Sequence, residues 1–100
     1  MQFIVTGYDG KDDKALDRRM AARDEHLALA EKMHHTGKWL YAAAILSDKG
    51  SMIGSMIVCE FESEEALKQE WLDREPYVLG DVWEKIDIRQ AKVAPFWEKK

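Results

Sequence analysis

Trp39-Leu40-Tyr41-Ala42-Ala43-Ala44-Ile45-Leu46, then Ser47-Asp48-Lys49-Gly50-Ser51, then Met52-Ile53-Gly54-Ser55-Met56-Ile57-Val58-Cys59-Glu60-Phe61: two apolar runs flank a cluster of turn residues. Runs of this length and composition suit strands, and the polar, glycine-containing cluster joins them as a hairpin. The hairpin lies mid-chain, and the segments on its two sides complete two β-α-β halves, a topological repeat and not a sequence repeat. Before it, Phe3 to Tyr8 is a β-rich run ending at Gly10, followed by a helical pattern that Asp12 or Asp13 can cap and Gly37 can end. After it, Ser63 caps a second helix with Glu64 and Glu65 in its first turn, and Ala66, Leu67, Glu70 and Trp71 follow. Pro76 excludes its predecessor from a helix and opens a short new one, Pro76 to Gly80; Val82 to Arg89 is the last strand. The tail from Ala91 to Lys100, with Pro95, Phe96 and Trp97, is expected to pack. The order β-α-β-β-α-β predicts an α+β, ferredoxin-like domain spanning residues 1–100: one antiparallel sheet with two helices on one face.

The two faces of that sheet differ from the usual pattern. A sheet with one wet face alternates apolar and polar residues. In the hairpin's first strand, Trp39, Tyr41, Ala43 and Ile45 fall on one side, and Leu40, Ala42, Ala44 and Leu46 on the other. In the second strand, Ile57, Cys59 and Phe61 oppose Met56 and Val58. Two helices cover only one face, so a second copy packed sheet to sheet is the expected cover for the other, giving a homodimer; the alternative cover is the C-terminal tail, which is too short to do so fully.

The first helix carries charge where apolar residues belong. At about 100° per residue, Leu16, Met20, Ala22, Leu27, Leu29, Ala30 and Met33 form one arc, and Arg19, Arg23 and His26 fall inside it. Charge on a buried side is costly unless it is paired or used, so this helix either covers a polar cavity or hides ion pairs.

Composition narrows the function. The formal net charge is -4 and no basic stripe survives, which argues against nucleic acid as a partner. No apolar run approaches a membrane span, and the N-terminus lacks a signal-peptide layout. Cys59 is the sole cysteine, read as a small buried hydrophobe, and the expected compartment is the cytoplasm. Adjacent His34 and His35 do not face each other, no spacing supports a metal site, and no glycine-rich phosphate loop or dinucleotide fingerprint implies a cofactor. Trp39, Trp71, Trp83 and Trp97 read as core and interface.

Arg23-x-x-His26-Leu27, Gly37 eleven positions after the histidine, Gly54-Ser55-x-Ile57-Val58-x-Glu60-Phe61-Glu62-Ser63, and Glu75-Pro76-Tyr77-Val78 followed by Val82-Trp83-Glu84 resemble the YciI-like (YCII-related) proteins, from about Phe3 to Pro95. The resemblance implies a dimeric α+β barrel, a fold that muconolactone isomerases also use. It also implies an active-site pair, a histidine on the first helix and an aspartate in an Asp-Pro-Tyr motif. His26 matches the histidine; Glu75 stands where the family has aspartate, with its carboxylate one methylene further out.

On these grounds His26 is the candidate acid–base and Glu75 its partner, the alternative for His26 being a cap or filler on the helix face. Arg23, one turn earlier, either binds a substrate carboxylate or pairs with Glu75 or a partner-chain acid, whereas Arg19 is structural. Ser55 either donates to a bound oxyanion or is merely tolerated in its strand. Tyr77 either walls a pocket or belongs to the core. The expected function is a small cofactor-independent lyase or isomerase that moves a proton on a compact anionic or ring metabolite. The alternatives are a non-catalytic dimeric module that binds a small ligand, and a purely structural oligomer.

Overall fold

The computed structural model describes residues 1–98. In chain order the elements are β1 (Gln2–Asp9), α1 (Ala15–His35), β2 (Trp39–Leu46), β3 (Met52–Glu60), α2 (Glu64–Glu70), a 3-10 turn (Leu72–Arg74), α3 (Pro76–Leu79), β4 (Trp83–Ala91) and α4 (Pro95–Glu98). The strands form one antiparallel sheet in the order β2-β3-β1-β4. This is the ferredoxin-like α+β arrangement predicted from element order.

Local chemistry explains most boundaries. Gly37, at φ +81°, ends α1: its N–H donates to the His34 carbonyl and the Lys38 N–H to the Met33 carbonyl, a Schellman closure that needs a left-handed residue. Ser63 Oγ accepts the Ala66 N–H at 3.0 Å and starts α2. The expected cap on α1 is not made. Asp12 accepts the Lys14 N–H, but its carboxylate is drawn to the Arg18 guanidinium at 2.7 Å, and the helix begins only at Ala15 with no side-chain cap. Arg18 holds Asp12 well below the usual carboxylate range.

The core lies between the sheet and the helices. Phe3 and Val5 of β1, Ile57 and Cys59 of β3, and Trp39 of β2 pack against Leu67, Trp71, Leu72 and Tyr77. Cys59 is fully buried, and burial pushes its thiol up to about 12. Gly7 leaves room for an aromatic ring: a Cβ there would lie 2.3 Å from the Trp83 indole. Gly7→Ala is therefore expected to cost about 1–3 kcal/mol in urea unfolding by displacing Trp83. An unchanged midpoint would mean that Trp83 has another place to go.

The alternation expected along β2 is corrected by a bulge. Trp39 pairs with Cys59, but Tyr41 pairs with Val58, so Leu40 is an extra residue and parity flips across it. Trp39 therefore shares the helix-side face with Ala42 and Ala44, which sit opposite Ile57 and Ser55; Tyr41 and Ala43 join Met56 and Val58 on the outer face. That outer face remains apolar on β2, β3 and β1, where Ile4 is 38% and Tyr41 64% exposed. β4 adds Lys85, Asp87 and Arg89 opposite Tyr8, Thr6 and Ile4.

The arc expected for α1 is narrower than the helical wheel implies. Arg19 and His26 are buried while Leu16, Met20 and Leu27 stay exposed, and of these Leu27 borders a cavity between α1 and β2. In the tail, the Val93 N–H donates to Gln2 Oε1 at 2.6 Å and Phe96 is 69% exposed. The expectation for the Trp97 side chain, and for residues 99–100, lies outside what is described. Among the described residues no helix is long and apolar enough to cross a membrane.

Candidate functional site

α1 presents Arg19, Arg23 and His26 on three successive turns toward the space between α1 and the β2–β3 hairpin. A cavity of about 210 Å³ occupies that space. Arg23, His26, Ser55 and Tyr77 line it, with Leu27, Ala30, Trp39, Ala42, Ala44 and Ile57 supplying apolar wall. The structure thus brings His26, Arg23, Ser55 and Tyr77 to one cavity, with Glu75 directly behind His26.

Glu75 is fully buried, and three donors satisfy it. Oε1 accepts the Trp71 indole N–H at 2.8 Å; Oε2 accepts the Tyr77 backbone N–H at 3.0 Å and is hydrogen-bonded to His26 Nδ1. Pro76 explains part of this geometry. It holds Glu75 extended at φ -70°, ψ 121°, so the carboxylate folds back to cap α3. The longer glutamate chain spans from its own helix cap to Trp71 and His26. The Glu75 carboxylate accepts from Trp71 and Tyr77, and facing it the neutral imidazole tautomer that fits is the one with its proton on Nδ1 and its lone pair on Nε2. The imidazole is fixed a second time by Tyr77, whose ring stacks on it at 3.8 Å between centroids and 7° between planes. Burial pushes the Tyr77 phenol up, against the opposing pull of Arg19 and Arg23.

Arg19 is structural, as its position predicts. Its Nη1 lies 2.9 Å from both Asp9 carboxylate oxygens, and its Nη2 donates to the Gly54 carbonyl and to Ser55 Oγ. Its guanidinium also sits 4.7 Å from the Tyr77 ring centroid. The pairing of Arg23 with Glu75, one of the alternatives for that arginine, does not occur: the glutamate's acceptors are taken by His26, Trp71 and Tyr77. Arg23 forms no ion pair among the described residues and stays half-buried at the cavity. Asp9, Trp71 and Trp83 are the partners that sequence reasoning missed. Trp71 had one available signal: it precedes Glu75 by four residues, the reach of a side chain across one helical turn. Among the described residues no group of His, Cys, Asp and Glu is placed to hold a metal ion.

Comparison with known proteins bears on family and fold. Residues 1–92 match the model of the YCII-related domain. Protein YciI of Escherichia coli O6:H1 is 34% identical over 98 residues, covering 92% of this chain and 97% of that protein. An uncharacterized protein of Haemophilus influenzae is 29% identical over the same shares. In fold, the chain is similar to 5-chloro-2-hydroxyhydroquinone dehydrochlorinase (TftG) from Burkholderia phenoliruptrix AC1100, solved in complex with 2,5-dihydroxybenzoquinone. The TM-score is 0.78 at 20% identity, covering 96% of this chain and 98% of that one.

Proposed function

The chain belongs to the YCII-related family, and from that premise we propose that it is a small cofactor-independent enzyme, a lyase or isomerase acting on a compact ring metabolite that bears an anionic oxygen. The observation that carries this reading is the buried His26–Glu75 pair set against an apolar cavity that also holds a cation, Arg23. His26 Nε2 takes a proton from a carbon next to a carbonyl. The C–H electron pair forms the new C=C bond while the C=O π pair moves onto the oxygen held by Arg23, giving an enolate. In an isomerase, His26 returns the proton to a different atom. In a lyase, the enolate pair expels a leaving group as its anion, and His26 passes the proton to solvent. Glu75 holds the tautomer and stabilises the imidazolium. Ser55 and Tyr77 complete the substrate wall. The dehydrochlorinase of similar fold supports choosing oxygenated rings for the first assays.

The test is a panel of ionised ring compounds in D2O, read by deuterium uptake and by release of a leaving group. His26→Ala is expected to lower the rate by about 10²- to 10⁴-fold with unchanged circular dichroism. Wild-type turnover by a folded His26→Ala variant would sink the assignment. A compound that binds but is recovered unchanged, with the variant losing only affinity, would instead favour a non-catalytic small-ligand module.

The working form proposed is a homodimer through the outer sheet face, where Ile4, Tyr41, Met56 and Val58 are left by the helices. Light scattering should give twice the chain mass, and Val58→Lys should halve it; a monomeric wild type overturns this. The proposed location is the cytoplasm, where a lone buried thiol such as Cys59 persists reduced.

A further inference from the structure

Two N–H donors end on one hydroxyl oxygen. Arg19 Nη2 reaches Ser55 Oγ at 2.9 Å and Trp83 Nε1 reaches it at 3.3 Å. A serine hydroxyl offers two acceptor lone pairs and a single proton to donate. Both lone pairs are occupied, so donation is the one role Ser55 has left. No acceptor for that proton is found among the described residues, and Ser55 lines the cavity.

Neither donor can reverse its role, because a guanidinium and an indole N–H have no acceptor. Neither can readily turn away. Arg19 is anchored through its other nitrogen to both oxygens of Asp9, and the Trp83 ring is seated over Gly7. Arg23, on the same cavity, is donor-only as well. The side-chain acceptors on this cavity belong to His26 and Tyr77, not to the cluster around Ser55.

We propose that Ser55 is a one-way hydrogen-bond donor, locked in that role by Arg19 and Trp83, and that the cavity therefore selects ring compounds placing an oxyanion against it. This rests on the ligand site proposed above and deepens it by naming the polarity of the ligand; it requires no turnover. An amine or other donor at the same ring position meets the Ser55 proton head-on and finds no acceptor in Ser55, Arg19 or Trp83.

Calorimetric titration with pentafluorophenolate and pentafluoroaniline tests it. The two probes share a ring and differ only in an oxyanion against an amine. Wild type is expected to bind the phenolate more tightly. Ser55→Ala should weaken the phenolate by roughly ten- to a hundredfold and leave the aniline no weaker, and Ser55→Thr should keep wild-type preference. Comparing variant and probe together separates the Ser55 contribution from the charge difference that Arg23 feels. Trp83→Phe frees one lone pair, so the preference between the probes should shrink in that variant. Equal weakening of both probes by Ser55→Ala, no weakening of either, or no binding of either probe to wild type would overturn the proposal. Probe preference intact without turnover by the wild type would remove the reaction and keep the locked donor; turnover without the preference would do the reverse.

Discussion

Asp9→Ala is expected to cost about 3–5 kcal/mol of folding free energy, measured as a fall in the urea midpoint. The loss is large because Arg19 is only 3% exposed and would keep its charge with no counter-ion. Total stabilities of about 5–15 kcal/mol leave little margin for it. The pair itself is not what holds the fold together. Burial raises the Asp9 carboxyl more than Arg19 lowers it, so desolvation outweighs the attraction. The double variant Asp9→Leu with Arg19→Met should therefore recover most of the loss. Because Asp9 holds its proton longer folded than unfolded, its contribution to stability declines as pH rises through that raised window, and the double variant should lack this decline. A double variant as unstable as Asp9→Ala would show that the network, not the orphaned charge, carries the stability.

Glu75→Gln is expected to lower turnover by about 10²- to 10⁴-fold while the chain still folds. Three N–H donors converge on the two Glu75 oxygens, and an amide offers only one oxygen. Whichever way the amide turns, an NH2 group faces a donor. If it faces Trp71, an indole N–H is orphaned at about 1–3 kcal/mol. If it faces His26, the imidazole must change tautomer and Nε2 loses its lone pair. Either way the negative charge behind the imidazolium is gone. Stopped-time product assays with unfolding curves on the same variant check both effects. A wild-type rate in the Glu75→Gln variant would mean that His26 needs no anionic partner.

The fold was legible where a residue type has one local use. Ser63 before two glutamates, Gly37 after a helical run and Pro76 at a helix start each declare a boundary, and each behaves so. The Leu40 bulge was hidden for the opposite reason. In a run as uniformly apolar as Leu-Tyr-Ala-Ala-Ala-Ile, no polar residue marks which face is which, so a one-residue slip leaves no trace. The α1 cap was misjudged because Asp12 has a competitor six residues on, Arg18, that a local rule does not weigh. At the site, His26 and Arg23 stood out as charge on an apolar arc, and both reach the cavity. The partner of Arg19 did not stand out. Asp9 closes a strand beside a glycine and reads as a turn residue, and only the packing of α1 across β1 brings the two together.

One consequence of the bulge reaches beyond topology. By turning Ala42 and Ala44 toward the cavity while Trp39 stays in the core, it separates what the strand does for stability from what it does for ligand fit. The two alanines hydrogen-bond to nothing by side chain and border open space, so larger residues can be introduced there without disturbing the histidine, the glutamate or the packed tryptophans. They form an adjustable gauge: Ala→Val or Ala→Leu at either position narrows the chamber by degrees, so that under the proposed function fit shifts from broad to slim rings while His26 and Glu75 keep their places.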